Sequence, residues 1–349
     1  MYTDSEISGE SFLLNLCKKA GKKCAFDAKD KDSFALWKKN TREILYDCLG
    51  YCKIKGDNSM AELVSRENFS DYRRDKYILP TAENLKMPIY VLVPNETCGK
   101  VFIALHGHGS YGKEGIVGNH ISGREAVENS NGEYGLELVR QGYITVCPDI
   151  LGSGERASSL LEEPTARSAC DLLNNALIAL GMSLQTVVLF ELTRLVEFSL
   201  SLKENKYKNV GVCGFSGGGL FSMWLTAMSD KVDIAVVSGY FHSQKDTCLQ
   251  SNKCGCNFVP NFWLTADMGE LAALAAPKPL YIELGSQDLL NGRSGLKGVH
   301  EQLGTAQKAY ALFNAEQNIR LTLCNGMHKW YGSCYPFINK VVKDMEPIS

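Results

Sequence analysis

The chain has 349 residues, of which 45% are apolar and 22% are charged, and its formal net charge is −2 at pH 7. This length suits one large domain with an appendage, and the composition is that of an ordinary globular protein. Because 37 basic residues nearly balance 39 acidic ones, we expect no nucleic-acid partner. No stretch reaches the ~18 consecutive apolar residues of a spanning helix, so we expect no membrane partner either.

The start of the chain and its cysteine content bear on the compartment. Residues 1–10 are polar and acidic, unlike a secretory leader, so we expect none. Thirteen cysteines in such a chain predict free thiols in a reducing compartment. We therefore predict a cytoplasmic protein. The sequence neither predicts nor excludes a homo-oligomer.

The first part of the chain differs in pattern from the rest. Apolar residues recur at helical spacing within 11–19 and 33–51, which predicts amphipathic helices. We interpret residues 1–70 as an N-terminal helical extension packed on a main domain of residues 71–349.

From about residue 72, short apolar runs alternate with helical patterns. Strands are predicted at 77–79, 87–93, 100–105, 143–147, 209–213, 232–238, 279–284 and 319–324, and helices at 135–141, 184–202, 220–228 and 296–312. The alternation predicts the α/β class, with a mostly parallel central sheet covered by helices on both faces. In such sheets reactive groups collect at the carboxyl ends of the strands.

The strongest motif is G-F-S-G-G at residues 214–218, which follows the apolar strand at 209–213 and precedes a helical pattern. In this context a G-x-S-x-G pattern indicates a sharp strand-to-helix turn with a nucleophilic serine, Ser216, at its apex. The turn strains the serine backbone and leaves no room for side chains at Gly214 and Gly218. A glycine-rich turn without chemistry is the alternative.

A serine hydroxyl needs a base that accepts its proton. Among the six histidines, His328 follows the last predicted strand, where hydrolases with this turn carry their base. We predict His328 as the base. His242, after the strand at 232–238, is the rival, although a pocket-lining role suits it better. The side chains of His106 and His108, in the first glycine-rich turn, are expected to be structural.

The acid that orients the base is expected after a strand between the nucleophile and the base. Asp288 follows the strand at 279–284, and we predict it as the acid. Asp246, after the preceding strand, is an alternative. Glu283 lies within the strand itself and is expected to make a structural contact.

Two backbone donors are needed for the oxyanion that forms when a serine attacks a carbonyl. The N–H of Gly217, directly after the nucleophile, is the first predicted donor. The second is expected from the turn L-H-G-H-G at 105–109, where the N–H of His108 is best placed.

Further residues are expected around the pocket. Arg156, in the turn after Asp149, either binds a substrate carboxylate or pairs with Glu155 or another nearby acid. Tyr240 and His242 follow a strand end and are predicted to contact the substrate.

Two other groups of residues suggest ligands. Trp263 and Trp330 are candidates for stacking on a sugar ring, with core packing as the alternative. Cys248, Cys254 and Cys256 lack the paired Cys-x2-Cys spacing of structural zinc sites, and no fourth ligand is evident. We therefore interpret them as free thiols and predict neither a metal nor a cofactor.

From about residue 72 the chain resembles the α/β-hydrolase superfamily, in the branch that holds dienelactone-hydrolase-like and acetyl-xylan-esterase-like proteins. The motifs that carry the resemblance lie at 105–109, 148–149 with 152–156, 214–218, 285–288 and 326–328. The resemblance implies the α/β-hydrolase fold and hydrolysis of small carboxylic esters, often acetyl groups on sugars. True dienelactone hydrolases carry a cysteine nucleophile. The serine in this chain argues against a dienelactone substrate.

Together these observations predict a serine hydrolase that cleaves small carboxylic esters through an acyl-enzyme. Its partner would be a small-molecule ester with an acetyl or other short acyl group, including carbohydrate esters. One alternative is a peptidase or amidase of the same fold, but such enzymes commonly carry a large lid or propeller domain that this chain has little room for. The other is a non-catalytic binding module, which predicts the loss of a triad position, whereas all three are occupied.

Overall fold

The computed structural model describes residues 7–51, 54–109, 111–119, 132–161, 165–250 and 253–348. Within these residues, one central sheet is formed by the strands β1 Glu62–Asn68, β2 Tyr72–Ala82, β3 Leu85–Pro94, β4 Val101–Leu105, β5 Ile144–Pro148, β6 Val210–Phe215, β7 Val232–Ser238, β8 Leu280–Gly285 and β9 Ile319–Cys324. Their order across the sheet is β1-β2-β3-β5-β4-β6-β7-β8-β9. The strands predicted between residues 77 and 324 are confirmed, with small shifts of their ends.

The sheet is parallel from β5 across to β9, whereas β1, β2 and β3 form an antiparallel extension that joins β5. All residues of β4, β5, β6 and β8 are buried. Strands covered on both faces need apolar side chains on both, which explains why they read as continuous apolar runs rather than as alternating ones.

Helices cover both faces of the sheet, so the predicted architecture is confirmed. The helices are α1 Gly9–Lys19, α2 Lys31–Leu49, α3 Lys113–Ile116, α4 Tyr134–Arg140, α5 Ala166–Ala179, α6 Leu184–Leu200, α7 Gly217–Met228, α8 Gln244–Gln250, α9 Phe262–Thr265, α10 Met268–Ala275, α11 Leu296–Ala311 and α12 Tyr335–Lys343. Short 3₁₀ turns lie at Gly154–Arg156, Gly255–Asn257, Leu289–Asn291 and Glu316–Asn318.

Alternate residues of each strand feed two separate cores. On β4, Ile103 and Leu105 pack with α2, α6, α7, α10 and α11 in one core, whereas Phe102 and Ala104 pack with α4 and α12 in the other. This is the period-two alternation of strand side chains. The sheet therefore separates the two apolar layers and directs the ends of its strands to one edge.

The N-terminal segment is joined closely to the main domain. Phe34 and Trp37 of α2 are buried in the larger core, and the Arg42 guanidinium donates to the Ala227 carbonyl at 2.8 Å and to Asp230 at 2.9 and 3.0 Å. The sheet begins at Glu62, inside the segment predicted to be a helical extension. All seven residues of β1 are exposed, so this strand has no apolar alternation by which to recognise it.

None of the helices in the described residues alone combines the length and apolar composition of a membrane span. The pair Arg167–Ala179 and Leu184–Leu200 has them only when the two helices are taken together, across a bend of 99°.

Candidate active site

Ser216 lies at the turn between β6 and α7, in a backbone conformation that a non-glycine residue rarely adopts. Its φ is 55° and its ψ is −117°. Among the described residues, the other non-glycine residues with positive φ are all asparagines, which tolerate this region better than serine does. Strain of this kind persists where the surrounding structure enforces it, and it concentrates at functional sites.

The glycines around Ser216 are required by close approach of the backbone. A Cβ atom on Gly218 would collide with the carbonyl of Leu105 at the end of β4, and one on Gly214 would collide with the carbonyl of Gly218. The helix α7 therefore begins in direct contact with the neighbouring strand. This contact brings Ser216 against the turn at residues 105–109, because a Cβ on Gly107 would lie 3.3 Å from Cβ of Ser216.

His328 and Asp288 form a direct contact beside this turn. Nδ1 of His328 lies 2.6 Å from Oδ2 of Asp288, and the Asp288 side chain is 1% exposed. The other carboxylate oxygen of Asp288 accepts the Leu290 N–H at 2.8 Å. The carboxylate is thus held in place from both sides, which fixes the orientation of the imidazole.

The two other candidate acids lie elsewhere in the structure. Asp246 accepts the N–H of Ser294 at 2.8 Å, ahead of α11. Glu283 is buried and accepts the Ser238 hydroxyl at 2.7 Å and the Ser333 N–H at 2.9 Å. Glu283 therefore joins β7, β8 and the loop after β9, the kind of structural contact expected for it.

A cavity of about 190 Å³ joins Ser216 and His328, the predicted nucleophile and base. Both Ser216 and His328 line it, together with the turn at residues 106–109. Gly115 and Ile116 of α3, and Gly112 just before this helix, complete this side of the lining. The His328 ring packs on Phe215, with 4.5 Å between the ring centroids. The structure therefore brings Ser216, Asp288 and His328 together at the carboxyl ends of β6, β8 and β9.

The turn after β4 is held beside the nucleophile by several contacts. Nε2 of His106 accepts the Ile150 N–H at 2.9 Å, and the Tyr134 hydroxyl donates to the Leu105 carbonyl at 2.7 Å. Burial lowers the pKa of His106, in keeping with a neutral ring that accepts this bond. Sequence reasoning missed Tyr134, because nothing in a helical pattern indicates which distant carbonyl a tyrosine hydroxyl reaches.

The ring of His108 lies directly over Gly217. A Cβ on Gly217 would approach Nδ1 and Cε1 of His108 to 2.5 Å. The two residues predicted to donate to the oxyanion are therefore in contact with each other, and glycine at 217 leaves room for the imidazole. Since Gly217 is the first residue of α7, its N–H has no acceptor within the helix.

A buried network of charges lies behind the cavity. The Lys113 ammonium contacts Asp149 at 2.7 Å and Glu155 at 2.5 Å, and the side chains of Lys113 and Asp149 are fully buried. Burial alone would lower the pKa of Lys113, but the adjacent Asp149 carboxylate raises it. The network joins the start of α3, which borders the cavity, to the turn after β5.

Arg156 pairs with an acid in the protein interior. Its guanidinium donates to the two Glu191 carboxylate oxygens at 3.0 and 2.8 Å, and the two side chains are 6% and 0% exposed. It also donates to the Asp149 carbonyl at 3.2 Å. These donors are occupied, so the contact corresponds to the structural alternative and not to a substrate-binding role.

The other predicted pocket residues lie outside the lining of the cavity. Tyr240 and His242 are buried, with 4.6 Å between their rings. Burial lowers the pKa of His242 to about 3. Trp330 stacks on Tyr134 with 4.4 Å between centroids, and Trp263 packs near Phe258 beside a groove under α1. None of these four predicted residues is among those that line the 190 Å³ cavity in the described part of the chain.

A cluster of one imidazole and three thiols adjoins the turn at residues 105–109. Nε2 of His108 lies 3.3 Å from the sulfurs of both Cys254 and Cys256, and Cys170 completes a group whose four donor atoms all lie within 4.8 Å of one another. Hydrogen bonds from Cys170 and Cys256 lower the pKa of the Cys254 thiol. Burial would lower the pKa of His108, but the adjacent Cys254 raises it to about 10.

Three features together define the α/β-hydrolase class. They are the central, mostly parallel sheet, the strained serine at the β6–α7 turn, and the contact between the acid after β8 and the histidine after β9. The chain matches the Abhydrolase family over residues 3–339 and belongs to it.

Comparison with known proteins agrees with this assignment. The chain is 22% identical over 223 residues to YtaP of Bacillus subtilis, a protein named as a hydrolase, which covers 62% of this chain and 71% of the relative. A Bacteroides fragilis structure named as an acetyl xylan esterase superposes with a TM-score of 0.79 at 17% identity, covering 97% of this chain and 95% of that one.

Two further solved structures share the fold. The methylesterase BT1017 has a TM-score of 0.64 at 20% identity, over 98% of this chain and 69% of that one. A glucuronoyl esterase from Solibacter usitatus has a TM-score of 0.63 at 15% identity, over 93% of this chain and 96% of that one.

Proposed function

We propose that the protein is a serine esterase that hydrolyses short-acyl carboxylic esters through an acyl-enzyme. The observation that supports this most directly is the arrangement of the 2.6 Å His328–Asp288 contact and the strained Ser216 around one cavity. In the fold of this family, a serine, an acid and a histidine in this chain order perform acyl transfer.

In the proposed mechanism, Ser216 attacks the ester carbonyl while Nε2 of His328 accepts the hydroxyl proton. Asp288 holds Nδ1 of the ring and offsets the positive charge that develops on the imidazolium. The N–H groups of Gly217 and His108 donate to the oxyanion, and His328 then protonates the leaving alcohol. Water enters, loses its proton to His328 and releases the acid from Ser216 by the same sequence of steps.

The size of the cavity supports a short acyl group. Its volume of about 190 Å³ is below the roughly 300 Å³ at which sites for drug-sized ligands begin. Structural neighbours named as an acetyl xylan esterase and a glucuronoyl esterase support an alcohol from carbohydrate. The cytoplasmic location expected from the cysteine content stays part of the proposal.

The proposal is tested by labelling and by a substrate series. A fluorophosphonate probe is expected to label the wild type at Ser216, and p-nitrophenyl acetate turnover is expected to disappear in Ser216→Ala. Ser201→Ala is the matched control, because Ser201 is exposed and only donates to the Phe198 carbonyl at the end of α6. Full activity in Ser216→Ala would disprove the assignment.

The series from acetyl to octanoyl esters, including acetylated sugars, tests the substrate class. We expect kcat/KM to be greatest for acetyl and to fall with acyl length. A maximum at octanoyl would contradict the short-acyl part of the proposal. Turnover of an aminoacyl amide without turnover of any ester would make the enzyme a peptidase or amidase of the same fold.

A further inference from the structure

The cluster of His108, Cys170, Cys254 and Cys256 has the composition of a zinc site. Its residues come from three separate parts of the fold, namely the turn after β4, the helix α5, and the short turn at Gly255–Asn257 with the residue before it. Three thiols and one imidazole are a ligand set that structural zinc sites use, and soft thiolates select zinc over hard cations.

The distances within the cluster also fit a metal. Zn–S bonds of about 2.3 Å and Zn–N bonds of about 2.0 Å in a tetrahedron place two sulfurs about 3.8 Å apart and a sulfur and a nitrogen about 3.5 Å apart. Here the Cys254 and Cys256 sulfurs are 3.4 Å apart, and each lies 3.3 Å from Nε2 of His108. No donor pair in the group exceeds 4.8 Å, so small side-chain adjustments suffice for four bonds to one ion.

The groups around the cluster donate hydrogen bonds to its sulfurs, as expected where the sulfurs are thiolates. The Cys256 N–H donates to the Cys170 sulfur at 3.1 Å. The Asn257 amide donates to the Cys254 sulfur at 3.4 Å and to the Cys256 sulfur at 3.6 Å. Donors of this kind stabilise metal-bound thiolates and orient them. Cys170 and Cys256 are 3% and 1% exposed, which keeps these two sulfurs away from bulk water, whereas Cys254 is half-buried.

We propose that His108, Cys170, Cys254 and Cys256 bind one zinc ion. With four protein ligands, the coordination is closed and leaves no position for a substrate or a reactive water, so the ion has a structural role. It ties the loop at residues 253–257 and the helix α5 to the turn after β4.

The position of the site links it to the proposed function. Nε2 of His108 faces the sulfurs, while the opposite side of the same ring lies over Gly217. The ion would therefore hold in place the residue whose N–H is the second proposed oxyanion donor. This consequence rests on the proposed esterase function, whereas the metal site itself does not.

The proposal is tested by elemental analysis of the purified full-length protein. We expect one zinc per chain in the wild type and in Ser216→Ala, and a loss of zinc in Cys170→Ser and Cys256→Ser. Cys248→Ser is the matched control, because this cysteine lies in the chain shortly before Cys254 but outside the cluster, and the variant is expected to keep both zinc and activity.

X-ray absorption at the zinc edge of the wild type gives an independent result if the cysteine variants do not fold. Three sulfurs at about 2.3 Å and one nitrogen at about 2.0–2.1 Å are expected. The proposal is overturned if wild-type protein, loaded with zinc and desalted, holds no more zinc than Cys170→Ser, or if the bound zinc has no sulfur ligands.

The outcomes separate this proposal from the esterase assignment. A wild type that holds one zinc but hydrolyses no ester would refute the proposed function and leave the zinc site intact. A wild type that hydrolyses esters but holds no zinc after loading would refute the zinc site and leave the proposed function intact.

Discussion

Nδ1 of His328 lies 2.6 Å from Oδ2 of Asp288, although 40 positions separate the two residues in the chain. The contact follows from the sheet, because β8 and β9 are parallel neighbours whose last pair is Gly285 with Cys324. Asp288 and His328 each follow the end of one of these strands, so their loops meet at one edge. The carboxylate holds Nδ1 and leaves Nε2 free for the proton exchange with Ser216 that the proposed mechanism requires.

Asp288→Asn tests which carboxylate orients the base. Because an amide favours the wrong tautomer of the imidazole, we expect kcat for p-nitrophenyl acetate to fall on the order of 10³–10⁴-fold. Asp246→Asn is the control, since Asp246 accepts the N–H of Ser294, and it is expected to keep kcat within about twofold. A loss of activity confined to the Asp246 variant would assign the acid to the preceding loop.

Gly217→Ala tests the contact between the turn at residues 105–109 and the helix α7. The new methyl would lie 2.5 Å from Nδ1 and Cε1 of His108, so either the ring or the helix start must move. We expect kcat to fall about 10²–10³-fold, the effect of losing one oxyanion donor.

Gly304→Ala is the matched control, because nothing lies within 4 Å of a Cβ at this position in α11. This variant is expected to keep its activity and to gain about 0.5–1 kcal/mol of stability, since alanine is the better helix former. Thermal unfolding and steady-state kinetics on both variants provide the measurements. Unchanged kcat in Gly217→Ala would show that the His108 ring can move away from α7 without loss of the proposed oxyanion donors.

Glu191→Gln tests the buried ion pair between Arg156 and Glu191. The substitution leaves the Arg156 charge without a counter-ion in the interior, so we expect the free energy of unfolding to fall by about 3–5 kcal/mol. Glu83→Gln is the control, because the Lys55–Glu83 pair is 76% and 58% exposed and is expected to change stability by less than about 1 kcal/mol. Urea unfolding measures both. Equal effects would show that the Arg156 pair is not desolvated in solution.

Buried histidines predict how stability depends on pH. Burial lowers the pKa of His242 to about 3, so between about pH 3 and the ordinary histidine pKa of about 6.5 the unfolded chain binds a proton that the folded chain does not. Stability therefore falls as the pH falls through this window. Each such group contributes a slope of about 1.4 kcal/mol per pH unit well inside it.

His242→Gln should lower the pH dependence of the free energy of unfolding by the contribution of one such group, about 1.4 kcal/mol per pH unit. Urea unfolding between pH 4 and 7 measures this change. His106, whose pKa is also lowered by burial, keeps part of the slope in the variant. His300→Gln is the control for the chemical change itself, because His300 is exposed on α11 and its substitution is expected to keep the wild-type free energy of unfolding at pH 7. An identical slope in wild type and His242→Gln would show that this imidazole is hydrated in the folded protein.

The sheet could be read from the sequence because strands buried on both faces need long apolar runs, as at 209–213 and 279–284. Ser216 and Asp288 each follow one of those runs, whereas His328 follows β9, which is only partly buried. The order Ser216, Asp288, His328 could therefore be predicted from the ends of the strands. The strand β1 was missed, because all its residues are exposed and its polar sequence carries no strand period.

Partners that meet only through tertiary structure were beyond the sequence. The acid that pairs with Arg156 lies on α6, and nothing in the chain order indicates it. Cys254 and Cys256 were interpreted as free thiols without a fourth ligand. The fold places His108 and Cys170 beside them. Cys170 lies on a helix whose position over the sheet cannot be predicted from the periodicity of the sequence.

The place of β9 at the end of the sheet has a consequence for biosynthesis. It pairs with β8 alone among the described strands, and His328 follows it directly. During synthesis, Ser216 and Asp288 leave the ribosome before β9 does. Under the proposed mechanism, the growing chain therefore has no general base until β9 has emerged and docked beside β8, so a chain that has been made only as far as Asp288 cannot react.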